Sequence, residues 1–125
     1  MWKYKVRLVA QGLNQVPSRD FDETCAPGPS SATTRALFAV VATKDWEVHH
    51  VDLKTAFLNA KMDKEMYINL PDGTEPGEAH ELFPLNLALY GTKQAGPLLG
   101  IKLDKELKAR GAVRSNVYPC LYSWR

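Results

Sequence analysis

Residues 2–8 alternate without a break. Trp2, Tyr4, Val6 and Leu8 fall on one side, and Lys3, Lys5 and Arg7 on the other. A period of two is the geometry of a β-strand, so the segment predicts a strand with one apolar and one basic face. An apolar strand face needs a layer over it, so the chain is expected to build a sheet with packed helices.

The rest of the chain reads as short elements between turn signals. Gln11-Gly12 with Asn14, and Pro17-Ser18-Arg19-Asp20, predict turns. Pro27 and Pro29 around Gly28 make residues 20–31 an extended connection that cannot be helical. A helix is expected over about 33–44, capped by Ser31 or Thr33, with Leu37, Val40, Val41 and the alanines spaced for one buried face. Asp45 ends that pattern. Residues 46–53 predict a second strand, with Trp46, Val48, His50 and Asp52 on one side, and residues 54–60 a turn into a short helix.

Met66, Ile68 and Leu70 alternate with Tyr67 and Asn69, a third strand ending at Pro71-Asp72-Gly73. Residues 72–79 read as a surface loop. Residues 82–90 predict another strand whose start Pro84 demotes to an edge or bulge. Pro97 suits the first position of a second helix, with Leu99, Leu103 and Leu107 at i, i+4 spacing. Glu106 and Arg110 predict an ion pair on it, and Gly111 a C-terminal cap. The tail stays apolar almost to its last residue, so the chain looks cut. No repeat or second domain is legible, and the expectation is one α+β domain over residues 1–125.

Composition excludes classes rather than choosing a fold. With 45% hydrophobic and 24% charged residues the chain is expected to fold. No run nears the roughly 18 apolar residues that span a bilayer, and no apolar stretch follows Met1. Cys25 and Cys120 lie far apart and form no C-x-x-C, which fits a reducing, intracellular setting with no membrane partner. A net charge of +2 does not by itself announce a nucleic-acid binder.

Asp52 is the most informative candidate for chemistry. A carboxylate at a strand end can hold a hard cation such as Mg²⁺, and the same residue type there also caps turns. His49 and His50 point to opposite faces of a strand, so they cannot share one metal. The basic face of Lys3, Lys5 and Arg7 could track phosphates or form a solvated sheet edge. Residues 91–100 offer glycine N–H groups and Lys93 near a helix start, which would suit a phosphate, but they lack the P-loop order.

Taken together, YKVRLVAQGLNQ (4–15), DFDETCAP (20–27), TTRALFAVVATKDWEVHHVDLKTAFLNA (33–60), EMYINLPDG (65–73), ALYGTKQA (88–95) and YPCLY (118–122) resemble the reverse transcriptase of copia-type LTR retrotransposons. The resemblance covers nearly the whole chain, in the family's order and spacing. It implies a right-handed polymerase fold, of which this stretch matches the fingers and the first part of the palm. It implies an RNA-directed DNA polymerase acting on a template–primer and dNTP, with two Mg²⁺ ions, within a Pol polyprotein.

By position, Asp52 matches the first catalytic aspartate, which binds both ions. Leu53 matches the residue whose backbone faces the triphosphate, and Phe57 the aromatic gate beneath the sugar. Tyr90 and Gly91 match the segment lining the incoming nucleotide. Lys5 or Arg7 matches the fingers strand that approaches the triphosphate.

Departures accompany the matches. The family's Tyr-x-Asp-Asp motif is absent, so the chain reads as truncated before it. Asp63 and Glu65 follow the short helix and Asp104 is expected to face outward from the late helix, so none replaces the missing carboxylates. Gly96, Pro97, Leu98 and Leu99 stand where the family has Pro-Arg-Ala-Trp. Ala60 stands for a family glycine, at a cost of about 1 kcal/mol if that position requires positive φ. The expected function is therefore a reverse-transcriptase fragment, inactive alone. The rivals are a degenerate remnant binding at most nucleic acid or protein, and an unrelated small α+β binding domain.

Overall fold

Two helices carry most of the regular structure in the computed structural model, which describes residues 2, 4, 6–71 and 82–124. Helix α1 is Ser31–Lys44 and helix α2 is Ala95–Ala109. The strands are short: β1 (Tyr67–Asn69), β2 (Leu82–Pro84), β3 (Val113–Arg114) and β4 (Tyr122–Ser123). They form two separate antiparallel pairs, β1 with β2 and β3 with β4. The chain is α+β as expected, and among the described residues its strands form two ribbons rather than one sheet. It divides into two compact units, Met1–Cys25 with Thr55–Leu99, and Ala26–Lys54 with Gly100–Arg125.

In the first unit, β1 and β2 pair with Tyr67 opposite Pro84. Pro84 is tolerated because each strand of a two-stranded sheet keeps a free edge. The pairing continues irregularly: Leu85 N–H donates to Met66 O (2.7 Å), Met62 N–H to Asn86 O (3.0 Å) and Ala88 N–H to Ala60 O (2.9 Å). Lys61 faces Leu87, so three extra residues on that side, Asp63 to Glu65, bulge out between the two registers. The bulge sends Lys64 to Asp22 (2.8 Å) and to the Ser18 carbonyl (3.2 Å). The strand expected over 82–90 therefore survives only at its start. The turn at Asp72-Gly73 and the loop over 72–79 lie outside the described residues.

The core of this unit is built on alanines. Ala60, Ala88 and Ala95 are buried, with Phe57, Met62 and Leu98 packed against them. Small side chains let the backbones of three segments approach closely. Ala60 has φ −100°, so the alanine in place of a family glycine carries no backbone strain.

The strand expected over residues 2–8 does not form among the described residues. Trp2, Tyr4 and Val6 are 94%, 96% and 92% exposed. Alternation specifies a face, but a strand also needs a ladder partner, and the described residues supply none. Lys3 and Lys5 lie outside them.

In the second unit, α1 is capped one residue before the expected positions: Ser30 Oγ accepts from Thr33 N–H at 3.1 Å. It ends at Asp45, which adopts the left-handed conformation at φ 53°. The expected buried face is not realised; no residue of α1 is buried, and Leu37, Phe38 and Val40 are exposed. The helix rests on its caps and local bonds, such as Thr43 Oγ1 to Ala39 O at 2.7 Å. Residues 46–53 form no strand either, and Trp46, Val48 and Val51 stay exposed. Both failures share one cause: apolar patterning selects a face without providing the surface that covers it.

Helix α2 starts two residues before Pro97, which occupies the third helical position, where its missing N–H has no intrahelical acceptor to lose. At its other end Gly111 adopts φ 83°, its N–H donates to Lys108 O (3.0 Å), and Ala112 N–H donates to Leu107 O (3.0 Å). That pair of bonds is a Schellman cap, as the glycine predicted. Glu106 pairs with Lys102 at 2.9 Å instead of the expected Arg110. Asp104 does not point away into solvent. It accepts from Tyr122 Oη (2.7 Å), Lys108 Nζ (2.7 Å) and Arg114 (3.4 Å), tying the β3–β4 hairpin to the helix.

Candidate functional site

Two glycines fix the local geometry of the first unit. Gly91 has φ 92°, a conformation that side chains with a Cβ adopt at a cost. A Cβ there would run into the Ala10 carbonyl, and one on Gly12 into the Gly91 carbonyl. Segments 10–12 and 89–92 therefore pass backbone to backbone. Ala10 N–H donates to Tyr90 O at 2.7 Å across that passage. The turn is closed from within by Thr92, whose N–H and Oγ1 both donate to Leu89 O (3.2 and 2.8 Å).

The turn presents Tyr90 to Phe57. The rings meet edge to face, with centroids 4.6 Å apart and planes at 76°. Phe57 sits in the 3₁₀ helix Ala56–Asn59, which begins after Thr55 in the left-handed region (φ 49°). Asn59 Nδ2 donates to Thr55 O and Ala56 O, both at 3.2 Å, and holds this tight turn. Phe57 is half-buried against the alanine core, so one face of its ring is packed. Edge-to-face pairing contributes roughly 0.5–1.5 kcal/mol beyond burial and fixes ring orientation.

Of the residues singled out from the sequence, the structure brings together Phe57, Tyr90 and Gly91. Arg7 belongs to the same unit and is exposed on irregular backbone. Asp52 and Leu53 belong to the second unit, on an exposed stretch without regular secondary structure. Lys5 lies outside the described residues. Of the backbone N–H groups in the 91–100 segment, three are already engaged within the protein: Lys93 N–H donates to Gln15 Oε1 (2.7 Å), Ala95 N–H to Thr92 O (3.4 Å) and Leu98 N–H to Gln94 O (3.0 Å).

The sequence reading missed Gln15 and Gln94. Gln94 is 1% exposed and is the largest fully buried side chain among the described residues. Its Oε1 accepts from Gln15 Nε2 at 2.8 Å, and its Nε2 donates to the Asp20 carbonyl at 3.1 Å and to Met66 Sδ at 3.1 Å. The signal available was slight: two glutamines inside matched runs, with nothing to mark them as buried.

Asp20 anchors the same region. Its carboxylate accepts from Arg19 Nε (2.8 Å) and Val16 N–H (2.7 Å). These bonds, the Arg19 one first, hold its pKa down to about 2. A cleft of about 790 Å³ opens beside it, lined by residues including Gln11, Asn14, Arg19, Glu65 and Thr92. Its lining includes Leu89 and Thr92 of the turn but neither Phe57 nor Tyr90.

Two Mg²⁺ ions would need several oxygen ligands placed together. Among the described residues no three His, Cys, Asp or Glu side chains converge, so Asp52 does not gather such a ligand set from them.

A family model described as reverse transcriptase (RNA-dependent DNA polymerase) matches residues 1–124. The chain is 36% identical over 121 residues to the retrovirus-related Pol polyprotein from transposon TNT 1-94 of Nicotiana tabacum, covering 96% of this chain and 9% of that protein. It is 33% identical over 114 residues to the retrovirus-related Pol polyprotein from transposon RE1 of Arabidopsis thaliana, covering 90% of this chain and 8% of that protein. The transposon RE2 polyprotein of the same plant matches with the same identity and coverage. No solved structure matches the chain.

Proposed function

Because the chain belongs to the reverse transcriptase (RNA-dependent DNA polymerase) family, of the copia type, we propose that it supplies the fingers and first palm part of such an enzyme, including the sugar side of its nucleotide site. The observation that carries the reading is the Phe57–Tyr90 pair. Two residues 33 positions apart, each matched to the nucleotide site by position, meet at 4.6 Å. In this reading Phe57 lies beneath the sugar of the incoming nucleotide. A 2′-hydroxyl would then collide with a ring that Tyr90 and the alanine core prevent from turning away, which favours dNTP over rNTP.

The reaction of the class is attack of a primer 3′-hydroxyl on the α-phosphate of a dNTP, with pyrophosphate leaving. Asp52 contributes one carboxylate to it in this proposal, and Arg7 or Lys5 approaches the triphosphate. Since no group of three His, Cys, Asp or Glu side chains gathers among the described residues, no step through a metal is assigned to them. The proposed partners are a template–primer and the remainder of a Pol polyprotein. An intracellular, reducing setting belongs to the same proposal, in keeping with the free, exposed thiols of Cys25 and Cys120. No helix among the described residues is long and apolar enough to cross a membrane.

The test is primer extension. The isolated chain should extend nothing. A chimera carrying residues 1–124 in place of the matching segment of the tobacco polyprotein should extend a primer with dNTP, and its Asp52→Ala form should not. Extension that survives Asp52→Ala would overturn the assignment.

A further inference from the structure

The turn that carries Tyr90 and Gly91 is held by a relay of hydrogen bonds with a fixed direction. Lys93 N–H can only donate, so the atom of Gln15 facing it at 2.7 Å must be the carbonyl oxygen. The Gln15 amide nitrogen is thereby turned toward Gln94 and donates to its Oε1 at 2.8 Å. That leaves the Gln94 nitrogen facing the Asp20 carbonyl at 3.1 Å, which can only accept. Both ends of the relay are backbone groups that cannot be inverted, so neither side-chain amide can flip without putting like against like. Gln94 is almost wholly buried, so water cannot replace a lost partner there.

We propose that Gln15 is a positioning residue for the nucleotide-lining turn: by reading Lys93 N–H at one end and Gln94 at the other, it sets where Tyr90 and Gly91 sit against Phe57. This rests on the reading of Tyr90 and Gly91 as part of the nucleotide site. Gln15 reaches the turn from a segment already in contact with it, since Ala10 N–H bonds to Tyr90 O and Gly12 lies against Gly91. The segment 10–15 thus grips the turn at its tip by backbone and at its exit by Gln15. Losing the second grip frees the turn to rotate about the first. Residues of the other unit take no part in the relay.

Glutamate at position 15 makes a discriminating probe. As a carboxylate it still accepts from Lys93 N–H, but it presents a second acceptor to Gln94 Oε1. Protonated, it regains one donor and restores the relay. Its direct partners are Gln94, Lys93 N–H and Met66 Sδ, none of which titrates between neutral and mildly acid pH. The charged groups lining the cleft that Gln15 borders are Arg19, Asp20 and Glu65; Asp20 stays ionised with its pKa at about 2, and repeating the titration in a Glu65→Gln background separates that carboxyl from the one at position 15.

The experiment is NMR on the intact chain. In the unsubstituted protein the Lys93 amide should be protected from hydrogen exchange. Gln15→Glu at neutral pH should shift the Tyr90, Gly91 and Phe57 signals while leaving those of the β3–β4 hairpin in place. Lowering the pH through the carboxyl's titration should return them to the positions of the unsubstituted protein, and Gln15→Ala should shift them with no such return. Unprotected exchange at Lys93 overturns the proposal without any variant. So does a Gln15→Glu chain whose Tyr90 and Phe57 signals stay fixed, or shift without pH-dependent return. These readouts use no nucleotide, so the relay can stand even if the chimera shows the nucleotide reading to be wrong, and fall while that reading holds.

Discussion

Gly91 shows how a single position can be set by its neighbours rather than by its own side chain. Its φ of 92° and the Ala10 carbonyl beside it leave no place for a Cβ. Gly91→Ala should therefore destabilise the first unit by about 2–3 kcal/mol, as overpacking against backbone does, read as a lowered urea midpoint. A variant as stable as its parent would mean the turn does not pass this close to segment 10–12. Asp20 gives a second residue-scale prediction. Its folded pKa, about 2, lies below its ordinary 3.8, so its contribution is present above the ordinary value and lost as pH falls through the folded one. Acidification between about pH 4 and 2 should loosen the Val16–Asp20 turn, seen as faster exchange of the Val16 amide, while Asp20→Asn should remove that step. At this scale the matched runs singled out Phe57, Tyr90 and Gly91, because a family match reads residue by residue, and the structure brings the Phe57 and Tyr90 rings into contact. Gln15 and Gln94 were not legible, because burial of a glutamine depends on segments 79 residues apart meeting.

At the scale of elements, what is local was readable and what is not local was misread. The helices, the short helix after Asp52, β1 and the Gly111 cap follow from neighbours within a few residues. The strands expected over 2–8 and 46–53 required partners from elsewhere, and period-two alternation says nothing about where these are. Asp104 was misread for the same reason: its partner Tyr122 lies 18 residues on. Helix α1, with no buried residue, should depend unusually on its ends. Ser30→Ala should lower its stability by about 1 kcal/mol and reduce helical circular dichroism measurably. An unchanged spectrum would show that something besides the cap holds the helix.

For the molecule as a whole, two features bear on behaviour. The first unit's core is centred on three alanines, and exposed apolar side chains recur along the chain, among them Trp2, Leu37, Phe38, Val117 and Trp124. Surfaces of this kind promote association. The isolated chain should self-associate, with an apparent mass by sedimentation that rises with concentration; a monomer at every concentration would count against this. The chain spans less than a tenth of the length of the curated relatives it matches. The central claim is that Phe57, oriented by Tyr90, selects the sugar of the incoming nucleotide. It is tested most directly by the ratio of dNTP to rNTP incorporation in the tobacco chimera with and without Phe57→Ala. Loss of the ring should raise relative rNTP use on the order of 10-fold or more, with dNTP extension retained. An unchanged ratio in a variant that still extends the primer would contradict the account.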